Sequence, residues 1–349
     1  MKSLLAYEAG ELRDAICQLG GKPFHAKIAR EAVLRQGVLD YEGMTALPAQ
    51  LRKALAAQIP LLASHVEDAD LASDGAHKLL LRFPDRDGKQ ALVETVFIPP
   101  LRAGTRDGET KGATLCVSTQ VGCPVACPFC ASGLDGLTRN LEAHEIIEQY
   151  LHGRALGLVS RSVVMGIGEP LLNARALLAA MQTIHDEFGL GARKITVSTV
   201  GFPNRLRRMA AAKPPFQLAI SLHTPDDEQR SELVPAMAGV PIDSILAAGD
   251  HWFEVTGREV TYEYVLLGGT NDSSGHAARL ASRLRGRRCS VNLIPYNPTS
   301  GLGFDRPTPG DVEAFQNSRV ESGLVATVRW SRGLGSSAAC GQLRALNRR

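Results

Sequence analysis

The chain has 349 residues, of which 44% are hydrophobic and 21% charged, and its formal net charge is +3, a balance that predicts an ordinary globular fold with one large catalytic domain and a smaller accessory one. No stretch approaches the run of about 20 apolar residues that a bilayer crossing needs, and the opening MKSLLAYEAGELRD meets acidic residues too early for a signal peptide, so no membrane partner and a cytoplasmic location are expected. The total charge is too small to announce a nucleic-acid partner, and the local arginine clusters RLRRM (Arg205, Arg207, Arg208) and RLRGRR (Arg283, Arg285, Arg287, Arg288) read equally well as solvated helix faces.

In chain order, ELRDAICQLG, KIAREAVLRQG and LPAQLRKALAAQI have helical spacing, and the first two end on glycine, which predicts a small helical module over residues 1 to about 65. HKLLLRF and QALVETVFI have strand composition around the turn PDRDG, so a β-hairpin completes an accessory module over 1–98. PPLRAGTRDGETKG, rich in Gly, Pro and charge, reads as a mobile linker over 99–112. From Ala113 to the end of the chain (113–349) strand and helix patterns alternate: ATLCVST, RSVVMGIG, KITVST, QLAISLH, VTYEYVLLGG, CSVNLIPYN and VATVRWS are each separated by helical stretches. Such alternation demands a parallel sheet with crossover helices, and six repeats fit a partial (β/α)6 barrel, whose reactive groups gather at the carboxyl ends of the strands.

The seven cysteines are odd in number and carry no secretion context, which argues against a disulfide framework. Cys123, Cys127 and Cys130 crowd into CPVACPFC directly after the first barrel strand. Three thiolates on one short loop can hold three corners of a [4Fe-4S] cubane and leave its fourth iron open to the amino and carboxylate groups of S-adenosylmethionine (SAM). Structural zinc normally takes four ligands in CxxC pairs and a ferredoxin takes four cysteines per cluster, and neither spacing is present. SAM contacts are expected from the loops after the later strands: Gly168 and Glu169 in GIGEP, Ser198 in TVSTVG, Ser221, Leu222 and His223 in AISLHTP, and Asn297 in LIPYNP. His223 alone reads more readily as a structural histidine.

LGGKPFHAKIAREAV, VETVFIP, LCVSTQVGCPVACPFCASG, GIGEPLLN, TVSTVG, AISLHTPDDEQRSELVP, VNLIPYNP and AACGQL occur in that order, and together they resemble the radical SAM 23S rRNA and tRNA adenine-C2 methyltransferases and their C8-methylating antibiotic-resistance relatives. The resemblance implies that Cys340 takes a methyl group from one SAM, and that a second SAM yields the radical that activates this S-methyl for addition to the ring. It also implies that Glu94 is the proton acceptor and that Cys116 closes a transient disulfide onto Cys340 to release the product. By pattern alone Glu94 reads as a surface residue and Cys116 as core filler. The resemblance further implies a monomer acting on structured RNA (23S rRNA, tRNA or both) and supplied with electrons by a donor such as flavodoxin or ferredoxin. The long PPLRAGTRDGETKG segment and the absence of acidic residues before Cys340 depart from the family pattern and leave C2 or C8 open, with another radical SAM activity, such as glycyl-radical activation, as the alternative.

Overall fold

A computed structural model describes residues 2–86, 88–100, 105–106, 109–110, 112–320 and 325–345. The N-terminal part is helical: Ala9–Gln18 (α1), His25–Glu31 (α2) and Ala49–Gln58 (α3). α1 starts on a reciprocal capping box in which the Glu8 carboxylate accepts from the third helical N–H and the Glu11 carboxylate accepts from the Glu8 N–H. His65–Leu71 (β1), His77–Arg86 (β2) and Lys89–Ile98 (β3) follow as antiparallel strands. Of the expected linker, positions 101–104, 107–108 and 111 lie outside the described residues, while Thr105–Arg106 (β4) pairs with Glu109–Thr110 (β5).

The remaining chain alternates as its apolar runs require. Ala113–Cys116 (β6) leads to a short antiparallel pair, Gln120–Gly122 (β7) with Leu137–Asn140 (β8), and then to Ala143–Leu156 (α4). Val159–Val164 (β9), Ala174–Thr183 (α5), Ile195–Thr199 (β10), Pro203–Ala211 (α6) and Gln217–Ser221 (β11) continue the pattern. Asp227–Leu233 (α7), Ile242–Thr256 (α8), Val260–Leu266 (β12), Ser274–Leu284 (α9), Cys289–Pro295 (β13), Pro309–Val320 (α10) and Ala326–Val328 (β14) complete it.

Among the described residues β1-β2-β3-β6-β9-β10-β11-β12-β13-β14 form one ten-stranded sheet, antiparallel through β6 and parallel from β6 to β14. The hairpin therefore extends the catalytic sheet, with Val96 of β3 directly opposite Cys116 of β6. No pairing closes the sheet among the described residues, so the partial barrel stays open. Helices cover the parallel strands, and the core is continuous from Leu12 and Leu55 of the N-terminal helices to Leu115, Tyr150 and Trp252. Burial of this aliphatic and aromatic surface, at about 25 cal/mol per Å² of apolar area, is what holds the strand ends in place.

Candidate active site

β7 and β8 clamp the ends of the cysteine loop. Cys123 N–H donates to the Gly136 carbonyl at 2.9 Å, and Gly122, at φ +77°, lies so close that an added Cβ would sit 2.0 Å from that same oxygen. Ala126 adopts a left-handed φ of 57°, and Cys130 N–H closes a turn on Cys127 O at 3.1 Å. These constraints turn the three thiols into one cavity of about 170 Å³, which is also lined by Gly168, Glu169, Ser198, Ser221, His223, Asn297 and Cys340.

Burial pushes the Cys123 thiol up to about 12 and drives Cys127 well above its ordinary value, with the neighbouring thiols adding to the effect. Three buried thiolates cannot coexist without a bound cation or cluster, so the donor set itself fits an iron–sulfur group. Among the described residues no three His, Cys, Asp or Glu side chains converge on a single ion position; in a cubane each thiolate binds its own iron, whereas a zinc site needs convergence. Arg230 lies buried beside the loop, its Nη2 donating to Val200 O at 2.7 Å and Ser221 O at 3.2 Å, while Nε and Nη1 have no partner. Burial lowers its pKa to about 10 against the opposing pull of Cys127, so it stays cationic next to the thiols.

The other expected residues sit at the strand ends. Gly166 and Gly168 let the β9 loop press against the chain after β6, since an added Cβ would lie 2.6 Å from Ser118 Oγ or 2.7 Å from Gln120 Cβ. Glu169 is buried, and its carboxylate accepts from Leu171 N, Thr199 Oγ1 and Val200 N, tying the β9 and β10 loops together. Its side chain is thus occupied. Ser198 and Ser221 hydroxyls lie 3.3 Å apart. His223 has φ 65°, accepts from Val265 N–H at 3.1 Å and meets the Phe129 ring edge-on at 5.1 Å; burial, reinforced by Arg230, lowers its pKa to about 3 and keeps it neutral. Leu222 does not line the cavity: its side chain is in the core and its N–H donates to Glu263 O at 2.9 Å.

Cys340 sits on a segment tied to both sides of the cavity. Asn297 Nδ2 donates to Cys340 O at 2.9 Å, Ala131 N–H to Gly341 O at 2.8 Å, and Ser132 Oγ to Leu343 O at 2.8 Å. A second cavity, contiguous through Met165 and Cys340 with the first, is lined by Cys116, Arg329 and Cys340. Cys116 is buried and raised to about 12, first by burial and then by Cys340. Glu94, 5% exposed, lies one cross-strand step away, two residues along β3 from the Val96 that faces Cys116. Its Oε1 is 3.1 Å from Lys78 Nζ and its Oε2 accepts from Arg344 N–H at 2.8 Å.

Two residues at this site escaped the sequence reading. Arg329, directly after β14, donates to Met165 Sδ at 3.3 Å, and the Cys340 thiol is the largest influence raising its pKa. Glu263 on β12 is buried in the wall of the cysteine cavity, and its Oε2 has no hydrogen-bond partner among the described residues. The usable signal was position: Arg329 directly follows the parallel strand β14, and Glu263, although in the middle of β12, lies level with Ser221 at the end of β11.

An open parallel sheet with three loop thiols at the end of its first strand defines a radical SAM protein, and the Radical SAM superfamily model matches residues 117–281. Two relatives that carry the name probable dual-specificity RNA methyltransferase RlmN are similar over nearly the whole chain: one from Nostoc punctiforme, 42% identical over 98% of this chain and 93% of its own, and one from Synechococcus sp., 42% identical over 99% and 97%. The crystal structure of a radical SAM methyltransferase from Sphaerobacter thermophilus superposes with a TM-score of 0.88 at 40% identity, covering 99% of this chain and 100% of that one. The chain belongs to the family of radical SAM dual-specificity RNA methyltransferases, and a [4Fe-4S] cluster and SAM are its cofactors.

Proposed function

We propose that this enzyme methylates C2 of adenine in rRNA and tRNA, using Cys340 as the methyl carrier. The observation that carries the reading is the placement of Cys340 in the wall common to two cavities, one holding the three loop thiols and the other holding Cys116. Cys123, Cys127 and Cys130 hold the cluster, which with SAM supplies one-electron chemistry able to abstract a hydrogen atom from an S-methyl group. The backbone of Gly168 and Glu169, the hydroxyls of Ser198 and Ser221, neutral His223 and Asn297 shape the SAM site. Asn297 also fixes the Cys340 carbonyl, so one residue orients both the cofactor side and the carrier.

Adenine C2 is an electron-poor amidine carbon and cannot attack a sulfonium as an ordinary nucleophile, so the methyl carbon must be activated on the protein instead. Cys340 Sγ accepts the methyl group. After that carbon bonds to C2, Glu94, whose Oε1 lies 3.1 Å from Lys78 Nζ, takes the C2 proton, and the adduct's surplus electron would pass to the cluster. The Cys116 sulfur then bonds to Cys340 Sγ as the bond from Cys340 Sγ to the transferred carbon breaks; that carbon takes up the Cys116 thiol proton, and the methylated base leaves. The N-terminal module takes part in RNA binding. No helix among the described residues is long and apolar enough to cross a membrane. We infer a cytoplasmic monomer reduced by a small electron-transfer protein such as flavodoxin or ferredoxin.

The test is mass-spectrometric mapping of methyladenosine isomers in rRNA and tRNA from cells with and without the gene, complemented by wild type or Cys340→Ala. C2-methyladenosine that vanishes with the gene and returns only with wild type is expected. C8-methyladenosine, or identical spectra, would refute the reading.

A further inference from the structure

Trp330 stands at the mouth of the cavity that holds Cys116 and Cys340 and is 53% exposed. β14 ends at Val328; Arg329 then turns inward to Met165, which leaves the indole of the next residue on the solvent side. The Arg306 guanidinium lies 5.7 Å from the indole centroid, and its Nη1 also donates to Asn297 Oδ1 at 3.4 Å. Asn297 in turn holds the Cys340 carbonyl. A continuous line of contacts thus runs from the exposed ring to the methyl-carrying residue. Among the described residues no carboxylate pairs with Arg306, so its charge remains available to an anion. By contrast Arg332, on the other rim, is spent on Asp74 and the Pro99 carbonyl.

An exposed indole beside a guanidinium that no carboxylate neutralises among the described residues, at the opening of a pocket of about 200 Å³, is a combination suited to single-stranded nucleic acid: the ring stacks a base and the cation meets the phosphate. We propose that Trp330 is a stacking platform for the nucleotide next to the target adenine, with Arg306 on the adjoining phosphate. The platform would hold the strand while the adenine is withdrawn from its own stack and passed between Cys340 and Cys116. This rests on the reading that the substrate is RNA, and it adds a positioning residue for that substrate.

The chain offers a built-in reporter, because it has two tryptophans and the other, Trp252, is 0% exposed and stacked on Phe216. Titrating the reconstituted holoenzyme anaerobically with a short RNA hairpin that carries adenines in its loop should quench tryptophan emission. The Trp330→Phe variant, which keeps an aromatic face, should bind with near-wild-type affinity and show no such quenching. Trp330→Ala should weaken RNA binding by roughly five- to a hundredfold and raise KM for RNA, while SAM affinity and thermal melting stay at wild-type values. Arg306→Ala should flatten the dependence of RNA affinity on salt by about one unit of the log–log slope. Unchanged RNA affinity in Trp330→Ala, or quenching that survives in Trp330→Phe, would overturn the stacking role. Failure of the parent reading is separate and would already be visible in the wild type, as absence of binding or methylation.

Discussion

Gly122 and Gly136 offer a matched pair of perturbations at the two ends of the cysteine loop. Both have left-handed backbones, at φ +77° and +66°, but an added Cβ at Gly122 would lie 2.0 Å from Gly136 O, whereas at Gly136 it meets nothing within 4 Å. Gly136→Ala should therefore cost only the conformational penalty, about 1–2 kcal/mol. Gly122→Ala bears that same penalty and must also push a backbone carbonyl back by about 1 Å, which adds roughly 1–3 kcal/mol of overpacking. It further breaks the Cys123 N–H bond to Gly136, worth about 1 kcal/mol, for a total near 3–6 kcal/mol. That cost falls on the segment that presents the three thiols, so iron retention should suffer along with stability. Both variants should be reconstituted anaerobically and compared by iron per chain and by urea unfolding. Gly136→Ala should retain near-wild-type iron, and Gly122→Ala should lose most of it. Equal iron contents and equal unfolding midpoints in the two variants would refute the argument that the β7–β8 clamp sets the loop.

Other outcomes follow from the same geometry. Cys116→Ala should leave methyl transfer to Cys340 intact but stall release, so that labelled RNA migrates with the protein on denaturing gels; free RNA product at the wild-type rate would contradict the resolving role. Arg230→Gln should make the cluster harder to reduce, because a cation next to Cys127 is lost, and potentiometric titration followed by electron paramagnetic resonance reads the shift; an unchanged potential would sink the claim. His223, His144 and His152 are held neutral by burial, with values near 3, 4 and 4 against an ordinary 6.5. The unfolded chain therefore binds protons that the fold refuses between about pH 6.5 and 4, and stability should drop as pH falls through that window, by about 1–2 kcal/mol per histidine at pH 5. A melting temperature equal at pH 7 and pH 5 would rule this out.

The parallel strands were legible because strands buried on both faces read as continuous apolar runs such as VTYEYVLL and CSVNLIP. The edge strand β1 was not, since HVEDADL is almost wholly exposed and carries charge where alternation was sought. β7 and β8 also escaped, as three- and four-residue strands whose pairing is set by closure of the cysteine loop and not by propensity. At the site, the thiol triplet was plain from its spacing. Glu94 was not, because its closeness to Cys116 depends on how an antiparallel hairpin docks on a parallel sheet, a relation that no local periodicity encodes. Glu169 shows the reverse case: the motif pointed to the right loop, but the carboxylate turns out to fasten two loops together.

The stitching of Cys340 to Asn297, Ala131 and Leu343's partner Ser132 also bears on how the enzyme comes into being. The cysteine loop is made before the sulfur proposed to receive the methyl group, which leaves the ribosome some two hundred residues later, between positions 130 and 340. A nascent or truncated chain can thus possess the cysteine loop without any acceptor beside it. Only a chain extended past position 340 brings the two together, so the cysteine loop and the sulfur beside it become available as a single package.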